Sequence, residues 1–409
     1  MSAYDVLNSY VGANMKERMK NRVWIGIILI CAVLFLFGNP VVSAEETLDL
    51  SATSAILIDA ENGRVLYEKN GYEEKAMAST TKIMTLLCVL QYGNMEDIVT
   101  VSSYAASMPD VQLNIRKGEQ YYMQDLVYSL MLESHNDVAV AIAEHIGGDV
   151  EGFAALMNEM AYDLGAYHTH FVTPNGLDAE GHYSTAYDMA LIARYAIQNE
   201  EFVAITNTRS YSFTDVAGNR SFVATNRNAF LSMYEGAIGV KTGFTGNAGY
   251  CFVGAVKRDG RTLIAVVLGC GWPPHKTYKW KDMRRLFDYG FQNYTYKTVY
   301  EPTDEVKRIP VHDGIEKSSV GVYTNETVSL LLKADENVRV NYDLPVQLEA
   351  PVKKDSRVGS VNIYINEMFY QSVPVYAGEE IEKIDFWYCV RKVLKQFTLH
   401  TIASDTAKE

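Results

Sequence analysis

Apolar and polar positions follow three successive rhythms along this chain. Residues 54–60 and 64–68 are short apolar-rich runs on either side of Glu61-Asn62-Gly63. Asn-Gly between such runs predicts a β-hairpin, because both residues tolerate the backbone of a tight turn. Residues 83–90 are continuously apolar, and the small and hydroxyl residues Ala78, Ser79, Thr80 and Thr81 before them mark a helix start. Residues 100–170 read mostly as helix, most clearly at 125–132 and in the alanine-rich stretch 137–146, and 187–199 adds another helix. From 237 the period becomes that of strands, with runs at 237–242, 250–256 and 262–269 joined by Gly-containing turns. Residues 281–294 close this part with an amphipathic helix. A hairpin, a helical block, three strands and a helix predict one α+β domain, its helices beside an antiparallel sheet.

The pattern changes near Tyr296. Residues 299–376 hold short alternating runs, such as 338–342 and 361–365, separated by Gly and Asn/Asp turns. They predict a small all-β domain. Beyond it, a 100° step per residue places Phe386, Trp387, Val390, Val393, Leu394 and Phe397 on one side of a helix, with Arg391, Lys392 and Lys395 opposite. Aromatics on the apolar face and a basic polar face predict a helix lying in a membrane interface. It is too short and too charged to span. The alternative is that the face packs back on the β-domain, the usual use of an amphipathic helix.

The opposite end reads differently. Residues 15–22 are basic, 23–38 are an uncharged and mostly apolar run, and Val42-Ser43-Ala44 follows. This is the layout of a secretory signal cleaved after Ala44. An uncleaved anchor is the alternative, but the run falls short of the roughly 20 residues of a span. Cys31 follows Leu29-Ile30 rather than a small residue, which argues against a lipoprotein site. The expected divisions are thus a signal at 1–44, the α+β domain at 45–296, the all-β domain at 297–378 and a membrane-associating tail at 379–409. Everything after Ala44 would work outside the cytoplasm, peripherally attached to the outer face of the cell membrane.

Composition narrows the partners. With 409 residues, 48% of them hydrophobic, the chain can bury a large core in two domains. The net charge is -13, and the signal segment is itself basic, so the body is more acidic still. An acidic body argues against nucleic acid as partner. Cys31, Cys88, Cys251, Cys270 and Cys389 show no C-x-x-C spacing, so neither a zinc site nor a thioredoxin-like pair is indicated. A single disulfide stays open.

Three short motifs carry candidate chemistry. Ser79 and Lys82 are three apart and share one helix face. A serine at a helix start has the positive end of the dipole beside it, and a desolvated lysine near another cation loses its proton readily. That pairing makes an activated nucleophile without histidine. Alone it is weak, since S-x-x-K arises by chance about once in a chain of this length. Ser134-His135-Asn136 places a hydroxyl and an amide at a loop–helix junction, where helix capping is the plainer explanation. Lys241-Thr242-Gly243 lies on the first of the three strands, where a surface lysine is the plainer explanation, although the glycine admits a close backbone.

In this order and spacing the three motifs resemble those of the penicillin-binding proteins and serine β-lactamases. The stretches 171–178, 181–188 and 241–250 narrow the resemblance to the low-molecular-mass penicillin-binding proteins that act as D-alanyl-D-alanine carboxypeptidases. It covers nearly all of the mature chain, β-domain and tail included. It implies a serine carboxypeptidase that removes the terminal D-alanine of peptidoglycan pentapeptides, binds β-lactams, and uses no metal or cofactor. By the same resemblance Ser79 is the nucleophile and Lys82 its base. Ser134 relays a proton to the leaving amine, and Asn136 bonds the substrate amide. Lys241 and Thr242 hold the terminal side, the strand of Gly243 pairs with the substrate, and the backbone N–H groups of Ser79 and Phe244 form the oxyanion hole. His135 is bulky and titratable where the family varies, and is not expected to act. The family's cation beyond K-T-G has no arginine counterpart here; Lys276 is the candidate, with Lys279 next. A β-lactamase is one rival, disfavoured because 171–185 offers only Asp178 and Glu180 in a different motif. A non-catalytic β-lactam sensor or wall-binding protein is the other.

Overall fold

The computed structural model describes residues 48–302 and 305–405, with side chains placed as far as Gln396. The expected signal at 1–44 lies outside the described residues. The predicted hairpin forms from Ser54–Asp59 (β1) and Val65–Lys69 (β2), with Gly63 at φ 79° in its turn. A 3-10 turn at Ala78–Thr81 feeds the helix Lys82–Tyr92 (α1). Ile98–Thr100 (β3) and Gln120–Tyr122 (β4) pair as a ribbon before Met123–Glu133 (α2), Asn136–Gly147 (α3) and Val150–Asp163 (α4). Ala186–Ala196 (α5) and Glu200–Asn207 (α6) follow. A second hairpin, Ser210–Thr214 (β5) with Ser221–Thr225 (β6), and the short Phe230–Met233 (α7) lead to the long strands. These are Ala237–Thr245 (β7), Gly249–Arg258 (β8) and Arg261–Leu268 (β9), closed by the helix Tyr278–Asn293 (α8).

The main sheet has the order β2-β1-β9-β8-β7, antiparallel throughout. Ile56, Ile58, Val253, Ile264 and Val266 face the helical block and share its core. The intervening Leu57 and Leu263 face α8, which lies so close that a Cβ on Gly290 would fall 2.7 Å from Leu263 Cδ1 and 2.8 Å from Leu57 Cδ2. Helices therefore cover both faces, where the sequence suggested helices beside the sheet. Burial on both faces explains why 250–256 and 262–269 read as nearly unbroken apolar runs. The ribbon β3–β4, the helix α6 and the hairpin β5–β6 were not foreseen in the pattern.

The second domain comprises Thr295–Tyr300 (β10), Lys307–His312 (β11), Ser319–Tyr323 (β12), Val328–Leu332 (β13), Val338–Asp343 (β14), Leu348–Glu349 (β15), Arg357–Ile365 (β16) and Met368–Ala377 (β17). Six of these strands form one sheet, β14-β16-β17-β12-β11-β15, and β10 pairs with β13. Ile309, Val320, Val361, Val373 and Leu330 supply a separate core. The Arg64 guanidinium, in the first hairpin, donates to the Leu331 carbonyl and the Glu336 carboxylate, and Tyr296 donates to Asp59 Oδ1 at 3.0 Å. The tail forms the helix Phe386–Asp405 (α9). Phe386, Trp387, Val393 and Leu394 are all exposed, so this part of the apolar face is not packed on the β-domain. The Phe397 side chain lies outside the described ones. No described helix is long and apolar enough to cross a membrane.

Candidate active site

Ser79 stands on the 3-10 turn and Lys82 is the first residue of α1, so both project to the same side. The turn begins with a tight backbone: Ala78 has φ 50°, a left-handed conformation that costs a residue with a Cβ about 1–2 kcal/mol. Lys82 is fully buried. Its Nζ lies 3.1 Å from Ser79 Oγ, 2.8 Å from Asn136 Oδ1 and 2.5 Å from the Asn175 carbonyl. All three partners are neutral oxygens, one from each of three separate segments.

The second segment is the α2–α3 junction. Ser134 ends α2 in the left-handed region at φ 72°, and Asn136 opens α3. Neither side chain caps the helix, so the capping explanation does not hold here. The Asn136 amide is used at both ends: Oδ1 accepts from Lys82 and Nδ2 donates to the Pro109 carbonyl at 3.2 Å. Ser134 Oγ is buried and has no hydrogen-bond partner among the described residues. His135 is taken up by Ser129 Oγ, 2.7 Å from its Nδ1. Burial, aided by Lys82, Arg227 and Lys241, brings its pKa down to about 4, so it stays neutral.

The third segment, 171–178, stood out in the sequence only for its resemblance to the family. It presents a backbone carbonyl, that of Asn175, to Lys82. Thr85 Oγ1 donates to Pro174 O at 2.6 Å and holds the loop on α1. Gly176 has φ 80°, and a Cβ there would fall 2.0 Å from the Ala78 carbonyl, so only glycine fits. Thr245 Oγ1 donates to Asp178 Oδ1 at 2.8 Å, which ties the loop to the end of β7.

Strand β7 closes the other side. A Cβ on Gly243 would fall 2.8 Å from Ser79 N and 3.1 Å from Thr80 N, so the strand backbone runs directly against the turn that carries Ser79. Lys241 is 3% exposed and donates to Thr242 O at 3.0 Å. Phe244 is 42% exposed, its ring 4.6 Å from that of Tyr250. Lys276 is exposed in the loop before α8 and is not drawn into this cluster. Lys279 is buried instead, its Nζ donating to Lys276 O at 3.0 Å and sitting 4.5 Å over the Tyr250 ring.

Two buried lysines share the site, and burial disfavours the charge on each. Burial lowers the Lys82 pKa well below the ordinary lysine range, and Lys241 pushes it further. Lys241 itself comes down to about 7 by burial. The site thus favours a neutral amine beside a serine hydroxyl, with a second lysine nearby and a strand edge on which an extended ligand can lie.

A family model described as D-alanyl-D-alanine carboxypeptidase matches residues 41–271. The chain belongs to the D-alanyl-D-alanine carboxypeptidase family. A second model, described as penicillin-binding protein 5, C-terminal domain, matches residues 294–383. The chain is 31% identical to the D-alanyl-D-alanine carboxypeptidase DacF of Bacillus subtilis over 93% of its own length and 99% of that protein's. It is 32% identical to DacC of Escherichia coli, over 87% and 91%. Penicillin binding protein 5 from Haemophilus influenzae superposes with a TM-score of 0.70 at 26% identity, covering 83% of this chain and 100% of that one. The carboxypeptidase therefore has the penicillin-binding-protein type of α+β domain followed by that family's β-domain.

The contact at Gly243 yields a test. Gly243→Ala should move β7 away from Ser79 and lower hydrolysis of a peptide ending in D-Ala-D-Ala at least about tenfold, equivalent to 1.4 kcal/mol. The melting temperature should fall as well, because the added methyl forces apart two closely packed backbones at a buried position. A steady-state assay beside a melting curve checks both.

Proposed function

We propose that the mature chain removes the terminal D-alanine from peptidoglycan pentapeptides through an acyl-enzyme on Ser79, at the outer face of the membrane. The observation that carries this is the setting of Lys82. A charged ammonium has three N–H donors and no acceptor. A neutral amine has two, and Asn136 Oδ1 and Asn175 O are placed to take them. Its lone pair then faces Ser79 Oγ at 3.1 Å, as a base requires.

In the proposed reaction Lys82 takes the Ser79 proton as Oγ attacks the carbonyl between the two D-alanines. The negative oxygen is received by the N–H groups of Ser79 and Phe244, the expected largest stabilising contribution. Ser134, its hydroxyl otherwise unengaged, passes a proton to the departing amine. Asn136 bonds the substrate amide. Lys241 and Thr242 take the terminal carboxylate side, with Lys276 as the further cation, and β7 pairs with the substrate as an added strand. Water then releases the acyl group. No step calls on a metal or cofactor.

The β-lactamase rival lacks support from the 171–185 loop. Asp178 is engaged by Thr245, and Glu180 is exposed. The sensor rival is disfavoured by the intact Ser79–Lys82 pair. The exposed apolar side chains of α9 support its role as a peripheral anchor, which would keep the enzyme at the membrane once the signal is removed.

Four outcomes are expected. Penicillin should leave one covalent adduct by intact-protein mass spectrometry, absent in Ser79→Ala, and sustained rapid nitrocefin turnover would favour the β-lactamase instead. Lys82→Ala should abolish acylation in a folded protein. In the wild type, acylation should rise with pH as Lys82 loses its proton and level off well below about 10.4, the free-lysine value, because the folded-state pKa is lowered. A pH–rate profile that climbs only near the free-lysine value would remove Lys82 as the base. Deleting residues 380–409 should leave carboxypeptidase activity intact and abolish sedimentation with anionic liposomes; retained liposome binding would make α9 structural.

A further inference from the structure

His182 was not among the residues the sequence marked for function. It is 7% exposed and lies on the loop between the 171–178 segment and α5. Its Nδ1 is 3.0 Å from Val172 N and 3.4 Å from Thr173 N. Both of those groups are donors, so Nδ1 is the acceptor. Burial, aided by His170, holds the ring pKa down at about 4, so the ring is neutral and its one proton is on Nε2. Nε2 lies 3.0 Å from Thr81 Oγ1 and donates to it. Thr81 Oγ1 in turn lies 2.8 Å from the Ala78 carbonyl and donates there. Each donor fixes the direction of the next, so the relay has a single polarity from Val172 N–H to Ala78 O.

The end of this relay matters because of where it acts. The Ala78–Ser79 peptide is not among the cis bonds of the chain, so its C=O and N–H point in opposite directions. Holding the Ala78 oxygen toward Thr81 turns the Ser79 N–H away from it, on the side where Gly243 approaches Ser79 N. Gly176 packs against the same carbonyl on the Thr81 side: a Cβ there would fall 2.0 Å from Ala78 O and 2.9 Å from Thr81 Oγ1.

We propose that His182 and Thr81 are positioning residues for the oxyanion hole: their relay fixes the plane of the Ala78–Ser79 peptide and so aims the Ser79 N–H at the developing oxyanion. This rests on the reading of Ser79 as the acylated nucleophile. Neither side chain touches the substrate. Thr81 occupies a variable position of S-x-x-K, and its hydroxyl is spent inside the protein. His182 lies 101 residues beyond Thr81 in sequence and reaches the site only through it.

The test uses the full chain with its tail and compares Thr81→Val, which keeps the shape and removes the hydroxyl, with Thr81→Ser, which restores it. The direct readout is the infrared stretch of the ester carbonyl in the penicillin-derived acyl-enzyme. Donors in the oxyanion hole polarise that carbonyl and lower its frequency. Thr81→Val should raise the frequency and slow acylation about 10–100-fold, less than the roughly 100–1000-fold cost of removing an oxyanion-hole donor outright, while KM for the peptide changes less than about threefold. Thr81→Ser should return both the frequency and the rate toward wild type. Should Thr81→Val fail to fold, His182→Phe keeps a ring beside Phe171 and removes both nitrogens; it should shift the band in the same direction by a smaller amount. An acyl carbonyl at the wild-type frequency in a folded Thr81→Val or His182→Phe protein would overturn the relay, even if the rate fell. Absence of any adduct on wild-type Ser79 would instead overturn the underlying reading, and with it this one.

Discussion

Burial of one amine organises the active-site half of this molecule. Lys82 Nζ is fully enclosed, and its three hydrogen-bond partners are neutral oxygens. A charged ammonium in such a place loses its hydration without gaining an ion pair, a penalty of several kcal/mol. The neutral amine avoids most of that penalty, and Lys241 biases the choice in the same direction. The fold therefore favours the protonation state that the proposed reaction at Ser79 needs. It does so with desolvation and like charge, and needs no histidine or carboxylate at the nucleophile.

That choice places demands on the backbone. The oxygens around Lys82 come from a 3-10 turn, a helix–helix junction and a loop, and each must be held within a hydrogen bond's length. The junction is held by Asn136 to Pro109 O and by Asp137, which accepts from Leu113 N and Ile115 N at 3.0 and 3.2 Å. The loop is held by Thr85, His182 and Gly176. Strand β7 is the least adjustable wall, because it is paired along its length with β8 in a sheet covered by helices on both faces. Two glycines, Gly176 and Gly243, sit where backbones meet more closely than a methyl group allows.

The sequence disclosed the parts of this arrangement that depend on residue type. Ser79, Lys82 and Asn136 were legible because a hydroxyl, an amine and an amide in fixed order are uncommon together, and the structure brings these three side chains into contact. The strands β7, β8 and β9 were legible from their apolar runs and turns. Asn175 was not legible as a partner of Lys82, because its contribution is a main-chain carbonyl that any residue could supply. His182 was hidden for a different reason: it acts through Thr81, at a distance in sequence that no periodicity spans. The hairpin β5–β6 is half exposed and short, so it left little hydrophobic signal. Spacing named Lys276 and Lys279 without telling them apart: Lys279 is drawn into the aromatic cluster of Tyr250 and Trp280, while Lys276 stays exposed.

The same geometry bears on why one acyl-enzyme should turn over and another persist. In the proposed reaction with a peptide, the departing D-alanine leaves the site entirely, and water can enter where the amine stood. Lys82 is then again beside the ester oxygen, able to accept a proton from that water. A β-lactam's leaving amine stays covalently attached after the ring opens, so it continues to occupy that approach. Hydrolysis would then need a second base on another side of the ester. The loop that could carry one has its carboxylate at Asp178 held by Thr245, and its other acid, Glu180, faces solvent. The loop instead contributes a carbonyl to Lys82 and, through His182, a hydrogen bond to the nucleophile's turn. In the proposed reaction these contributions serve to form the acyl-enzyme, and they leave the loop without a group for breaking a blocked one.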